Sequence, residues 1–201
     1  MARSARVPFV GLTGGIGAGK SEALSALEAL GAATLSTDAV VHELLATDEL
    51  RDALVERLGP EVAPNGSIDR SKVAELAFAD PDHRDWLEGL LWPRVGQRVF
   101  EWREEIDAAD PRPAAAVVEV PLLFEAGMDQ AFDKTLVVVA DEQVRHERAE
   151  ARGHAALASR TGRQLSQTEK SQRADFVVRN DGSLEELREW LSRFLATIEN
   201  S

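Results

Sequence analysis

The sequence predicts an α/β fold, a parallel sheet flanked by helices, and three observations carry that reading. Five short apolar runs, rich in β-branched residues, recur along the 201 residues and read as strands buried on both faces. Helical stretches separate them, as right-handed crossovers between parallel strands require. Between the first run and the first helix lies Gly14-Gly15-Ile16-Gly17-Ala18-Gly19-Lys20-Ser21, which fits G-x-x-x-x-G-K-[ST] at every fixed position.

The elements follow in order. Residues 7–13 read as the first strand and 20–30 as the first helix. The second strand is 32–36, the third 115–120 with Pro121 as its stop, the fourth 135–140 and the fifth 176–179. The segment 39–112 has no strong strand and reads as helices over 39–46, 48–58, 71–79 and 83–107. In the last of these Leu87, Leu91, Val95, Val99, Trp102 and Ile106 recur every three or four residues and form one apolar stripe. Pro93 sits within it and is expected to kink or divide the helix. Residues 141–173 read as short polar helices, with Arg145, Arg148 and Arg152 on one face and Arg160 and Gln164 on another. Few apolar residues anchor this stretch, so it is expected to move and to act as a lid. A final helix starts near Ser183, with Glu186 at the capping-box position. Its buried stripe is Leu184, Leu187, Leu191, Leu195 and Ile198.

The Gly14–Ser21 stretch carries the chemistry. Its glycines admit backbone conformations closed to other residues, so successive N–H groups can curl around a β-phosphate. Lys20 is placed to reach the β- and γ-oxygens and the Ser21 hydroxyl to ligate Mg²⁺. The helix that follows puts its positive end under the phosphates. This is a P-loop NTPase-type core. The expected organisation is one P-loop kinase domain over 1–201. It comprises a nucleotide-binding core (1–38, 113–140 and 174–201), a helical acceptor-binding insertion (39–112) and a lid (141–173).

Composition narrows the class. There is no cysteine, so disulfide frameworks and thiolate metal sites are excluded, which fits a reducing, cytoplasmic setting. No apolar run is long enough for a membrane span, and the apolar run after Arg6 leads into the phosphate loop rather than a cleavage site. Asn65-Gly66-Ser67 is best read as a turn. The formal net charge of −12 argues against nucleic-acid and anionic-membrane partners. Residues 143–173 run against this balance, with seven Arg or Lys and three acids, and read as a phosphate clamp.

A kinase acting on a hydroxyl needs a carboxylate to orient the acceptor and take its proton. Asp38 is the candidate, at the end of strand two and beside the strand that carries the phosphate loop; ligands bind at such strand ends. The same residue also suits the N-cap of the next helix. Arg145 and Arg160 are candidates to neutralise charge on the transferring group. Glu119, Glu125 and Asp129 border strand three, and any one of them suits Mg²⁺ ordering through water. His42-Glu43 lacks the second histidine of a zinc motif, since position 46 is Ala46. The chain also lacks the Asn-Lys-x-Asp pattern of guanine-nucleotide switches.

These residues resemble one family. Gly11-Leu12-Thr13 leading into the phosphate loop, Val120-Pro121-Leu122-Leu123-Phe124-Glu125, the Arg160…Gln164…Glu169-Lys170…Ala174-Asp175 run and Asn180-Asp181-Gly182-Ser183 together resemble dephospho-CoA kinases, in the same order along nearly the whole chain. The Val120–Glu125 run is the specific element. The resemblance implies transfer of the ATP γ-phosphate to the ribose 3′-hydroxyl of dephospho-CoA, with ATP, dephospho-CoA and Mg²⁺ as ligands; a monomer is expected, although no residue pattern in the sequence specifies oligomeric state. It implies Asp38 as base, Lys20 and Ser21 as phosphate and Mg²⁺ contacts, Arg145 and Arg160 as lid arginines, and Asn180 to Gly182 as a loop near the adenine. Three positions depart from the family pattern: Ser36 stands for the first Asp of Asp-Ala-Asp, Trp92 precedes Pro93 where His is frequent, and Glu22 follows Ser21. Another small-molecule kinase, such as one acting on a nucleoside, and a nucleotide-binding regulator without turnover are the competing readings.

Overall fold

A computed structural model describes residues 6–151 and 164–199. The chain divides into two compact units, residues 1–36 with 103–201, and residues 37–102.

The first unit is built on five strands: β1 (Phe9–Gly14), β2 (Ala33–Ser36), β3 (Ala116–Glu119), β4 (Lys134–Val139) and β5 (Phe176–Arg179). They form one parallel sheet in the order β2-β3-β1-β4-β5. The near-continuous apolar runs have the cause assigned to them, since both faces are covered. On one face Val10 and Leu12 of β1, Val117 of β3, Leu136 and Val138 of β4 and Val178 of β5 form a core with two helices. These are α1 (Lys20–Ala29), which contributes Ala23, Ala26 and Leu27, and the C-terminal α8 (Leu184–Glu199), which contributes Leu187, Leu191, Phe194, Leu195 and Ile198. On the other face Gly11 lies under Phe132 and Leu123.

The C-terminal helix begins as its sequence predicts. Glu186 N–H donates to Ser183 Oγ at 3.2 Å and Ser183 N–H to Glu186 Oε2 at 2.7 Å, a reciprocal capping box. Leu184 leaves the predicted stripe and stands 42% exposed, and Phe194 joins the buried face instead.

The strand order corrects one expectation. The strand preceding Asp38 is not the neighbour of the phosphate-loop strand; β3 lies between them. The crossover through α1 skips a position, and the chain fills it only when it returns about eighty residues later.

The second unit contains α2 (Thr37–Leu45), α3 (Asp48–Leu58), α4 (Arg70–Ala79) and the larger part of α5 (Pro81–Asp107). Leu45, Leu50, Leu54, Leu58, Val62, Val73 and Leu91 make its core. The three leucines of α3 fall at i, i+4 and i+8 and so share one face. Each such side chain contributes about 1.5–3 kcal/mol on full burial. Thr47 caps α3 through Leu50 N–H, and Asp69 caps α4 through Ser71 and Lys72 N–H. Asn65–Ser67 is the predicted turn, with Gly66 at φ +76°.

Pro93 does not divide α5, which runs unbroken past it. A proline disrupts the ladder where it removes an N–H and crowds the preceding turn. In that turn the Leu90 carbonyl accepts from Arg94 Nη1 at 2.9 Å. Of the predicted stripe, Leu91, Val95 and Trp102 are buried, and Leu87, Val99 and Ile106 are half-buried.

Two further helices of the first unit are α6 (Glu142–Ala151) and α7 (Gln167–Arg173). The segment expected to be a lid is thus described at its two ends.

Candidate active site

The phosphate loop, Gly15–Gly19, leaves β1 at the C-terminal edge of the sheet, where ligands bind in open parallel sheets. Its shape is made by backbone. Gly17 and Gly19 hold φ +76° and +94°, values that side-chain-bearing residues rarely adopt. Gly19 is the N-cap of α1 and offers no side-chain bond to the first-turn N–H groups, so these donors are left to an anion. Ala18 N–H donates to Gly15 O at 3.2 Å and Ala23 N–H to Gly19 O at 3.0 Å. Lys20, half-buried in the first turn of α1, donates from Nζ to Gly15 O at 3.4 Å, and Ser21 next to it is exposed.

Side chains from α6 and from the β5–α8 connection fix this loop. Asn180 is 3% exposed; its Nδ2 donates to Ala18 O at 3.0 Å and its own N–H to Val139 O at 2.8 Å. Arg148 Nη1 donates to Asn180 O at 2.9 Å and Arg145 Nε to Ile16 O at 3.0 Å. The Arg145 guanidinium lies so close over Gly15 that a Cβ there would come within 2.9 Å of Nη2. Asp181 accepts from Asp141 N–H and from Arg179 Nε at 2.9 Å. Its partial burial works to raise its pKa, but the Asp141 N–H and the Arg179 guanidinium outweigh this and hold the carboxyl below its ordinary range.

The structure therefore brings Gly14–Ser21, Arg145 and Asn180 into one place, with Gly182 in the turn beyond Asn180, against the Glu186 carboxylate. Arg160 lies outside the described residues, as do Arg152 and Arg163. Asp38 is exposed in the first turn of α2, its second residue rather than its N-cap, two positions beyond the last residue of β2.

The adjacent strand end holds a buried carboxylate. Glu119, the last residue of β3, is 6% exposed and aligned in register with Leu12 of β1 and Ser36 of β2. Ser36 Oγ donates to Glu119 Oε2 at 3.0 Å. Glu125 has a different task. Its Oε1 is 2.9 Å from Lys170 Nζ and accepts from Leu165 N–H at 2.9 Å. Lys170 is wholly buried and also donates to Pro121 O at 3.0 Å, a carbonyl that accepts from Thr13 Oγ1 at 3.2 Å as well. Lys170 thus leaves the expected phosphate clamp and belongs to the core. No local pattern marks it, because its partner is 45 positions away.

A parallel sheet in this order, with a glycine loop and lysine between β1 and α1, defines a P-loop kinase fold. The family model described as dephospho-CoA kinase matches residues 8–186. A dephospho-CoA kinase from Synechococcus sp. (strain CC9902) is 39% identical over 194 residues, covering 92% of this chain and 94% of the relative. The crystal structure of TT1252 from Thermus thermophilus superposes with a TM-score of 0.81 at 32% identity, covering 96% of this chain and 99% of that one. Dephospho-CoA kinase from Campylobacter jejuni shares the fold, with a TM-score of 0.64 at 23% identity over 96% of this chain and 97% of that one. The chain belongs to the dephospho-CoA kinase family.

Proposed function

We infer that the chain transfers the γ-phosphate of ATP to the ribose 3′-hydroxyl of dephospho-CoA, giving coenzyme A and ADP. The observation that carries this is the intact phosphate loop beside the Val120–Glu125 run, which follows directly on β3, the strand next to β1.

The N–H groups of the Gly15–Gly19 loop, Ala18 apart, and of the first turn of α1 hold the phosphates, and Lys20 follows the β- and γ-oxygens. Arg145, already oriented on the loop by Ile16 O, balances charge on the transferring group. Asp38 takes the 3′-hydroxyl proton as the bond from that oxygen to phosphorus forms and the bond from phosphorus to the β-phosphate oxygen breaks. Asn180 and Gly182 shape the wall near the base. Ser21 and Glu119 would hold Mg²⁺; hydroxyl and carboxylate oxygens suit that hard cation, and Glu125 is committed to Lys170. When bound, the ion neutralises charge on the β- and γ-phosphates. With Ser36 in place of a carboxylate, the hydroxyl orients Glu119 rather than adding a charge.

The helical unit inserted between β2 and β3 supports assigning the acceptor to residues 39–112. A net charge of −12 and the lack of cysteine support a cytoplasmic monomer without nucleic-acid or membrane partners. Among the described residues no helix is long and apolar enough to cross a membrane.

An ATP-coupled assay over a panel of hydroxyl acceptors tests the reading. Turnover with dephospho-CoA is expected; turnover with another acceptor and none with dephospho-CoA overturns it. In the same assay Asp38→Asn lowers kcat by about 10²–10⁴, the range of general acid–base catalysis. Near-normal turnover of that variant leaves Asp38 only a place in the first turn of α2.

A further inference from the structure

The unit of residues 37–102 is acid-rich, with fourteen Asp or Glu against seven Arg or Lys. In such surroundings a basic side chain readily finds a carboxylate. Arg51 lies 2.6 Å from Asp48 and 2.9 Å from Asp52, Lys72 3.1 Å from Glu75, Arg84 3.2 Å from Asp85 and Arg94 2.6 Å from Glu49. Arg57 lies over the Trp86 ring. Arg70 differs. Among the described residues it has no carboxylate partner, and its hydrogen bond runs from Nη1 to His42 Nδ1 at 2.5 Å. The neighbouring Asp69 caps α4, its Oδ1 accepting from Ser71 and Lys72 N–H at 3.0 and 3.1 Å, and makes no ion pair with Arg70 among the described residues.

The Arg70–His42 bond has a defined sense. An arginine carries only donors, so His42 Nδ1 accepts, and the proton of the neutral ring sits on Nε2. The pair lines a cavity of about 240 Å³, with Arg51 and Ser67 as further polar walls and Leu45 and Ile68 as apolar ones. A cavity of this size has room for two phosphate groups.

We propose that this cavity binds the diphosphate of the acceptor, with Arg70 as its principal cation and the His42 ring and Ser67 hydroxyl as further donors. It rests on dephospho-CoA being the acceptor. The reaction has two polyanions. The phosphates of ATP have the glycine loop, the N-terminus of α1 and Lys20. The diphosphate that joins the adenosine and pantetheine halves of the acceptor needs cations of its own, and Arg70 lines the cavity without a carboxylate partner among the described residues. Its guanidinium keeps a forked set of N–H groups beyond the one given to His42, the geometry that suits phosphate oxygens. Arg51, already held by two carboxylates, is secondary.

The test uses the full chain with Arg70→Ala, Arg70→Gln and Arg70→Lys. Loss of a charge-assisted contact is expected to raise KM for dephospho-CoA by about 10–100-fold in the Ala and Gln variants. KM for ATP and the melting temperature are expected to stay put, and Lys to recover part of the loss. With the phosphate loop filled by saturating ADP, calorimetry should show inorganic diphosphate binding to the wild type and much more weakly to Arg70→Ala. An unchanged KM for dephospho-CoA overturns the proposal, as does a rise shared equally by both substrates together with a lowered melting temperature. If the wild type does not turn over dephospho-CoA, the functional reading fails instead; direct binding of dephospho-CoA to wild type and Arg70→Ala then still decides the cavity, and equal affinities refute it.

Discussion

The loop after β1 and the loop after β3 leave neighbouring parallel strands at the same edge of one sheet, and they are held by different means. Gly15–Gly19 takes its shape from its own backbone, with two left-handed glycines, a helix starting at once behind it and bonds from Ala18 and Ala23, and Asn180 and Arg145 hold it from outside through two of its carbonyls. Pro121–Glu125 is a run of turns held by a side chain from far along the chain. Lys170 enters its centre, meets Glu125 and shares the Pro121 carbonyl with Thr13 of β1. A loop that must present N–H groups to a ligand is held from outside through its carbonyls, as Ala18 O is by Asn180 and Ile16 O by Arg145. A loop that only has to stand still beside it can be fixed by burying an ion pair.

The largest effect should come from breaking the second means. A buried pair is not a strong net stabiliser, but removing one partner strands the other charge and costs about 3–5 kcal/mol. Lys170→Met leaves Glu125 in that position, with Oε2 already buried and without a hydrogen bond among the described residues. The expected result is a drop of that size in unfolding free energy by urea titration. The double variant Lys170→Met, Glu125→Leu should recover most of it, because no charge remains buried. If the single variant is as stable as the wild type, the pair does not hold the loop.

The same contrast explains what the sequence made legible. The phosphate loop is specified by eight consecutive residues, and each strand by its own apolar run, so both could be read locally. So could the capping box at Ser183, whose two halves are three positions apart. Lys170 could not be read, because nothing within a helical turn of it differs from a solvated basic face; only the fold brings Glu125 to it. The place of Asp38 failed for a related reason. Chain order puts β2 directly after β1, but sheet order depends on where the third strand returns. Arg70 likewise sits among ordinary surface charges in the sequence. Its difference emerges only once its neighbours are seen to be paired with one another.

A middle-sized effect should come from the buried long-range support of the phosphate loop. Asn180 Nδ2 is a buried donor to Ala18 O. Asn180→Ala leaves that carbonyl short of its partner and is expected to cost about 1–3 kcal/mol. KM for ATP should rise while KM for dephospho-CoA holds. A fall in stability with KM for ATP unchanged would mean that the loop keeps its shape by backbone alone, which makes the contrast with the second loop sharper still.

The smallest effect concerns the helix that carries Lys170. Glu169 closes a capping box at the start of α7, accepting from Ser166 Oγ at 2.7 Å and from Ser166 N–H at 2.8 Å. The side-chain bond from Ser166 first, and its backbone bond second, lower the Glu169 pKa below the usual 4.5. A carboxyl whose pKa is depressed by folding stabilises the native state fully above its unfolded pKa, and loses that contribution as pH falls through the folded one. Glu169→Gln keeps the shape and removes the charge. The urea midpoint of the wild type should therefore exceed that of the variant near neutral pH, and the gap should close as the solution is acidified through the lowered pKa. A gap that persists at acid pH would assign the difference to packing of the side chain rather than to its charge. A wild type no more stable than the variant at neutral pH would mean that α7 is placed by Lys170 alone.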